Sequence, residues 1–241
     1  MNNEKFVPAI VVGVSLILST VIGAWTFSSV RSNDTISVTG SAKQQVVSDT
    51  VKWNMGIMRT VSSFELKSGY AQIAADLKIV QKFLKDSGIA DSDITISPVS
   101  MDENYYYDKN GTPTEKTYNL RQPIIIDSKE VDKVEGVAKN VESLVQKGVM
   151  LSTYSMIQYF YSKVPELRVS LLANAVRDAK ARAEKILEPS GGKVGKMRTA
   201  SSGVVQVLPV NSVEVSDYGM YDTQSKNKDI MVTVRAAFDI K

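Results

Sequence analysis

The chain is 241 residues long, 43% hydrophobic and 23% charged, with a formal net charge of +3 spread along its length. These proportions exclude a disordered or low-complexity chain, and the dispersed charge offers nucleic acid no concentrated basic face. Histidine and cysteine are both absent, which removes disulfides, a lipid-modified cysteine, imidazole acid–base chemistry and zinc held by nitrogen or sulfur.

No charged residue falls between Phe6 and Val30. Residues 7–27 are mostly Val, Ile, Leu, Ala and Gly, about the length of helix that crosses a hydrocarbon core of roughly 30 Å. The expectation is one N-terminal transmembrane helix over 1–30, with Val7, Ile10, Leu16, Ile17, Val21 and Trp25 facing lipid and Trp25 near an aromatic belt. A cleaved signal is the rival, because Ile22-Gly23-Ala24 offers a small-residue processing site. Either way residues 31–241 are exported, which places the main domain in the cell envelope, in the periplasm or outside the cell.

Ile36, Val38 and Ala42 alternate with polar residues, as do Val51, Trp53, Met55 and Ile57, and Ser48-Asp49 between them predicts a hairpin. Ser62 and Glu65 form a capping box, Val61 and Leu66 can staple it, and Ile73, Leu77, Val80 and Leu84 recur at helical spacing up to Gly88. Ile94 and Ile96 begin a strand that Pro98 places at an edge or end. Residues 102–120 read as a hairpin turning at Asn110-Gly111, with Tyr105, Tyr106, Tyr107 and Tyr118 on its arms.

Ile124 and Ile126 continue the returning strand. A second helix is expected from Asp127 or Ser128, with Val131, Val134, Ala138, Val141 and Val145 inward and Gly148 as its stop. In the next strand Tyr154, Met156 and Phe160 share one face, and Ile157, Tyr159 and Tyr161 the other. Pro165 suits the first turn of a third helix, whose stripe is Leu167, Leu171, Ala175, Ala179, Ala183 and Ile186. The alanines predict close backbone approach, Asp178 can pair with Arg182, and Gly191-Gly192 ends the helix. Weak strands over 194–207 and a polar loop over 211–228 precede Ile230, Val232, Val234, Ala236, Phe238 and Ile240, whose alternation predicts a strand with one buried face. The order ββαββαβαββ predicts an α+β fold, a mostly antiparallel sheet with helices packed on one face, and its two ββα stretches suggest an internal repeat.

This order resembles the SIMPL domain family, the YggE-like periplasmic and envelope proteins, over residues 36–240. The stretches that carry the resemblance are Ile36-Ser37-Val38-Thr39-Gly40-Ser41-Ala42, Asp49, Ser87-Gly88-Ile89 with Asp93-Ile94, the tyrosine hairpin, and 172–184 on the third helix. The resemblance implies a secreted or anchored domain without an established catalytic site, assembling in related proteins into large ring- or channel-like homo-oligomers, with a link to stress protection for some relatives. It supplies no catalytic residues, cofactor or metal ligands to carry over, and relatives with a plainly cleaved signal differ from the long uncharged run here.

Lys193-Val194-Gly195-Lys196 follows a helix rather than a strand and lacks Walker spacing, so helix termination explains its glycines. Asp49, Asp102, Glu103 and Asp108 lack EF-hand spacing and read as acidic turns. Tyr105, Tyr106, Tyr107, Tyr118, Tyr159 and Tyr161 are the candidate interface residues, since tyrosine supplies contact area at low entropy cost. Packing within the sheet competes with that reading. The expectation is a non-enzymatic, membrane-anchored module that self-assembles through sheet edges, the final strand among them. The alternative is a binding module for a peptide, glycan or small apolar ligand, and a hydrolase using Ser/Lys or carboxylate chemistry stands third.

Overall fold

Two long strands with alternating burial follow one another and then part company. β1 (Thr35–Val47) and β2 (Thr50–Ser62) are joined through Ser48 and Asp49, yet they lie in different sheets, so the predicted hairpin is absent. The turn residues bond elsewhere: Ser48 N–H donates to the Lys226 carbonyl (2.9 Å) and Asp49 N–H to the Phe160 carbonyl (3.0 Å). The Asp49 carboxylate accepts from the N–H and Oγ–H of Ser162, both at 2.8 Å. Without that hairpin the two ββα stretches are not equivalent, and the suggested repeat fails.

The computed structural model describes residues 6–31, 34–107, 109–111, 113–152, 155–212 and 216–241. After the N-terminal helix α1 (Phe6–Arg31), the elements run β1, β2, α2 (Leu66–Asp86), β3 (Ile94–Ile96), β4 (Ser100–Tyr107), β5 (Pro113–Ser128), α3 (Val131–Lys139), α4 (Glu142–Gln146), β6 (Met156–Phe160), α5 (Val164–Leu187), β7 (Val194–Ser202), β8 (Gln206–Pro209) and β9 (Asn227–Ile240). They divide into two compact units, one of 1–42, 170–204 and 232–241, the other of 43–169 and 205–231.

The larger unit is built on a five-stranded sheet of order β3-β5-β2-β6, with β4 beside β3 on the same flank of β5. β5 serves three neighbours: β2 from Val51↔Ser128 to Ser62↔Thr117, β3 at Ile94↔Ile126, and β4 from Ser100↔Arg121 onward, all antiparallel. Val51, Trp53, Met55 and Ile57 share a buried cluster with Leu120, Ile124 and Ile126, and with Ile73, Val80, Leu84, Val134 and Leu144 from the helices. Helices pack on an antiparallel sheet here as predicted, but the strands of the chain form two sheets and not the one expected. Ser62 N–H and Oγ–H both donate to the Glu65 carboxylate (3.3 and 2.8 Å), opening a single 3-10 turn before α2. Gly88, at φ 77°, closes that helix. Arg59 grips the buried Asp76 of α2 with two hydrogen bonds, Nε to Oδ2 (2.7 Å) and Nη2 to Oδ1 (2.8 Å).

The second predicted helix starts later and is broken. β5 continues to Ser128, α3 opens at Val131, and Asn140 interrupts it by donating its N–H to the Val137 carbonyl (3.0 Å) and its Nδ2–H to the Gly136 carbonyl (3.0 Å). The interruption changes the phase of the stripe, so Leu144 is buried and Val145, predicted inward, is exposed.

The smaller unit holds most of α5 and the sheet order β1-β9-β7; β8 pairs with the opening residues of β9 in the larger unit. β9 is therefore an interior strand, not the open edge expected of a C-terminal strand. Its residues Val232, Val234, Ala236 and Phe238 are buried as the alternation predicts. On α5 the buried stripe is Leu171, Ala175, Ala179, Ala183 and Leu187. Ile186, predicted on the stripe, is 59% exposed, and Leu187, one position on, is buried instead. The predicted close approach is present: a Cβ on Gly40 of β1 would overlap the Ala175 carbonyl and Ala179 amide and lie 2.8 Å from Ala179 Cα. Beside it, Asp178 accepts from Ser41 N–H (2.8 Å) and Arg182 Nε–H (2.8 Å).

Candidate interface at the tyrosine hairpin

Edges are where a sheet can accept another chain, because their outward N–H and C=O groups have no ladder partner. In the larger unit β6 is covered, since Tyr159 N–H donates to the Thr223 carbonyl (2.7 Å), and β3 has only three residues. β4 has eight, all exposed except half-buried Asn104, and among the described residues its strand partner is β5. The β4–β5 hairpin also outruns the sheet: β2 stops with Ser62 opposite Thr117, while β4 and β5 go on through Tyr105↔Lys116, Tyr106↔Glu115 and Tyr107↔Pro113. Gly111 sits in the turn at φ 78°, where the sequence predicts it, and Asp108 lies outside the described residues.

Tyr105, Tyr106 and Tyr107 are 46%, 52% and 62% exposed. By register, Met101, Glu103 and Tyr105 lie on the face of Lys116 and Tyr118, and Asp102, Asn104 and Tyr106 on the other. Lys116 Nζ is 2.9 Å from Glu103 and 5.4 and 5.2 Å from the ring centres of Tyr105 and Tyr118. Tyr105 Oη–H donates to the second Glu103 oxygen at 2.9 Å. Lys116, then Tyr105, holds the Glu103 carboxyl below its usual range, and Glu103, ahead of the two phenols, pushes the Lys116 ammonium up. This face is a pre-set arrangement of phenols and one cation–carboxylate pair.

The other predicted tyrosines are elsewhere. Tyr118 packs on the buried cluster from the hairpin's base. Tyr159 lies in β6, two strands away from β5, half-buried, its phenol raised by burial and then by Glu135. Tyr161 follows the end of β6, half-buried, and Tyr154 lies outside the described residues. So the six candidates form one hairpin group and one group at the opposite edge. Sequence reasoning missed Phe64, 98% exposed in the 3-10 turn at the end of β2, because its place inside a capping box carries no sign of which way it faces. It also missed Lys228, buried with its Nζ 2.6 Å from the Asp222 carbonyl; burial lowers that ammonium against the pull of Asp222.

α1 carries Leu16, Ile17, Val21 and Trp25 exposed, while the side chains of Val7 and Ile10 lie outside those described. Among the described residues no helix is long and apolar enough to cross a membrane. The described side chains of α1 are those of 11–26, about 24 Å of helix against a core of roughly 30 Å. Asp49 is committed to Ser162, Asp102 lies 3.8 Å from Arg121, and no three acidic side chains among the described residues gather as a metal site. A cleft of about 240 Å³ beside Gly56 is lined by Asn54, Arg121, Pro123 and Ile125, and one of about 660 Å³, within the ~300–1,000 Å³ of usual ligand sites, lies beside Gly191 and Gly192.

A family model described as SIMPL, protein of unknown function (DUF541), matches residues 36–238. The chain belongs to the SIMPL family. No curated protein matches it. Two of the stretches that carry the SIMPL resemblance meet in the fold, since Gly40 and Ser41 lie against Ala175, Asp178 and Ala179 of α5. A third, Asp49, ties the turn before β2 to Ser162. In this SIMPL chain these positions tie segments of backbone together, while Tyr105, Tyr106 and Tyr107 of the hairpin are exposed.

Proposed function

We propose that this SIMPL chain is a membrane-anchored, extracytoplasmic structural module that self-assembles into a large ring- or channel-like homo-oligomer of the cell envelope, without catalysis of its own. The observation that carries the reading is the eight-residue β4 edge with three exposed tyrosines. A two-stranded ribbon projecting past its sheet is marginal alone in water, and a second surface to lie against would stabilise it. Anchoring is supported by the backbone of α1, 26 residues or about 39 Å at 1.5 Å per residue, in a segment uncharged from 6 to 30. A role in envelope stress protection is the physiological extension of this reading.

Mass photometry of the full-length chain in mild detergent tests assembly. Particles at a high, discrete multiple of the monomer mass are expected, and strictly monomeric particles at micromolar concentration would refute it. Alkaline carbonate washing of membranes tests anchoring, with the chain expected to stay in the pellet.

A further inference from the structure

We infer that β4 is the site of a two-fold contact in which a second copy of this chain adds its own β4 antiparallel, with the axis passing through Asn104. This deepens the self-assembly reading and rests on it. An antiparallel pair related by a two-fold axis has that axis perpendicular to the sheet, and residues directly opposite one another point to the same face. The axis must therefore pass through a residue position, not between two.

Charge then selects the position. An axis at Asp102 or at Glu103 sets that carboxylate against its own copy, which directly opposed strands disfavour. An axis at Tyr105 confines pairing within the strand to 103–107. An axis at Asn104 pairs 101–107 and opposes no like charges: Asn104 meets Asn104, Glu103 meets Tyr105, Asp102 meets Tyr106 and Met101 meets Tyr107 of the second copy. Glu103 already accepts the hydroxyl of its own chain's Tyr105 at 2.9 Å, so the opposed carboxylate and phenol are chemically matched. The two acidic residues thus protect the edge from indiscriminate pairing, as edge charges do, and together with the length of β4 favour the register centred on Asn104. A two-fold contact closes on itself, so any ring must be completed through a different surface.

The absence of cysteine makes the register directly readable in the full-length chain. In an antiparallel pair the opposed Cα atoms are about 4.5–5.5 Å apart, inside the disulfide range. Asn104→Cys should therefore crosslink to a covalent dimer under mild oxidation at least tenfold faster than Asp102→Cys, whose two copies would be about 14 Å apart along the strands. The double variant Asp102→Cys with Tyr106→Cys should crosslink as readily, which guards against a folding defect peculiar to position 104. The inference is overturned if Glu103→Cys crosslinks best, or if neither Asn104→Cys nor the double variant exceeds Asp102→Cys. The latter is also the outcome if a foreign extended peptide holds the edge. In that event large particles in the same sample leave self-assembly standing through another surface, and monomers remove both readings.

Discussion

Replacing Gly40 by alanine is the sharpest test of how this fold is held together. In an ordinary strand the change would stabilise by roughly 0.5–1 kcal/mol, because glycine gives up more backbone freedom on folding. Here the added methyl would overlap the Ala175 carbonyl and Ala179 amide and stand 2.8 Å from Ala179 Cα, against about 3.8 Å for relaxed carbon contacts. All three obstacles are helix backbone, so no side chain can rotate away, and α5 must retreat by about 1 Å. A gap of that size forfeits a quarter to a half of the dispersion along the buried stripe from Leu171 to Leu187. A loss of about 3 kcal/mol follows, at the top of the overpacking range. For a chain of this size that is a fall in melting temperature of about 6–12 °C. Thermal unfolding of the full chain in detergent, parent against Gly40→Ala, measures it. Adding Ala179→Gly should not rescue the variant, because the clash is with Ala179 backbone. A melting temperature at or above the parent's would refute the close-packing argument outright.

Gly136→Ala is the opposite case: nothing lies within 4 Å of the new Cβ and the site is inside α3, so stability should rise by roughly 0.5–1 kcal/mol, read as a higher urea midpoint at unchanged slope. Asp76→Ala strands Arg59, whose guanidinium is raised by its hydrogen bonds to Asp76, and should cost about 2–4 kcal/mol by the same titration, discounted for the partly exposed arginine. Asp49 sets an acid limit. Burial alone would raise its carboxyl, but the Ser162 hydroxyl and amide and the Thr50 hydroxyl hold it below its ordinary value. A carboxyl lowered on folding binds fewer protons in the folded state, so its contribution is complete above the ordinary carboxylate value and is lost as pH falls through the folded one. The stability gap between parent and Asp49→Asn should therefore be constant near neutrality and close in acid; a gap that widens on acidification contradicts the assignment.

The sequence by itself determined those features that depend on neighbours within one or two turns or on strict periodicity. The buried faces of β2 and β9, the Ser62–Glu65 capping box, the glycine stops at Gly88 and Gly191 and the alanine stripe of α5 all follow from local backbone geometry, and each is present in the structure. Tertiary structure alone decided which strands pair, because pairing depends on hydrogen bonds between residues far apart in the chain. Ser48 and Asp49 read as a hairpin turn until Lys226, Phe160 and Ser162 divert them, and β9 reads as an open edge until β1 and β7 flank it. The tyrosines show the same division within one group of residues. Their number and spacing are visible in the sequence, but only the register of β4 on β5 exposes Tyr105, Tyr106 and Tyr107 and buries part of Tyr118 at the core, and only the pairing of β6 with β2 sends Tyr159 to the far edge.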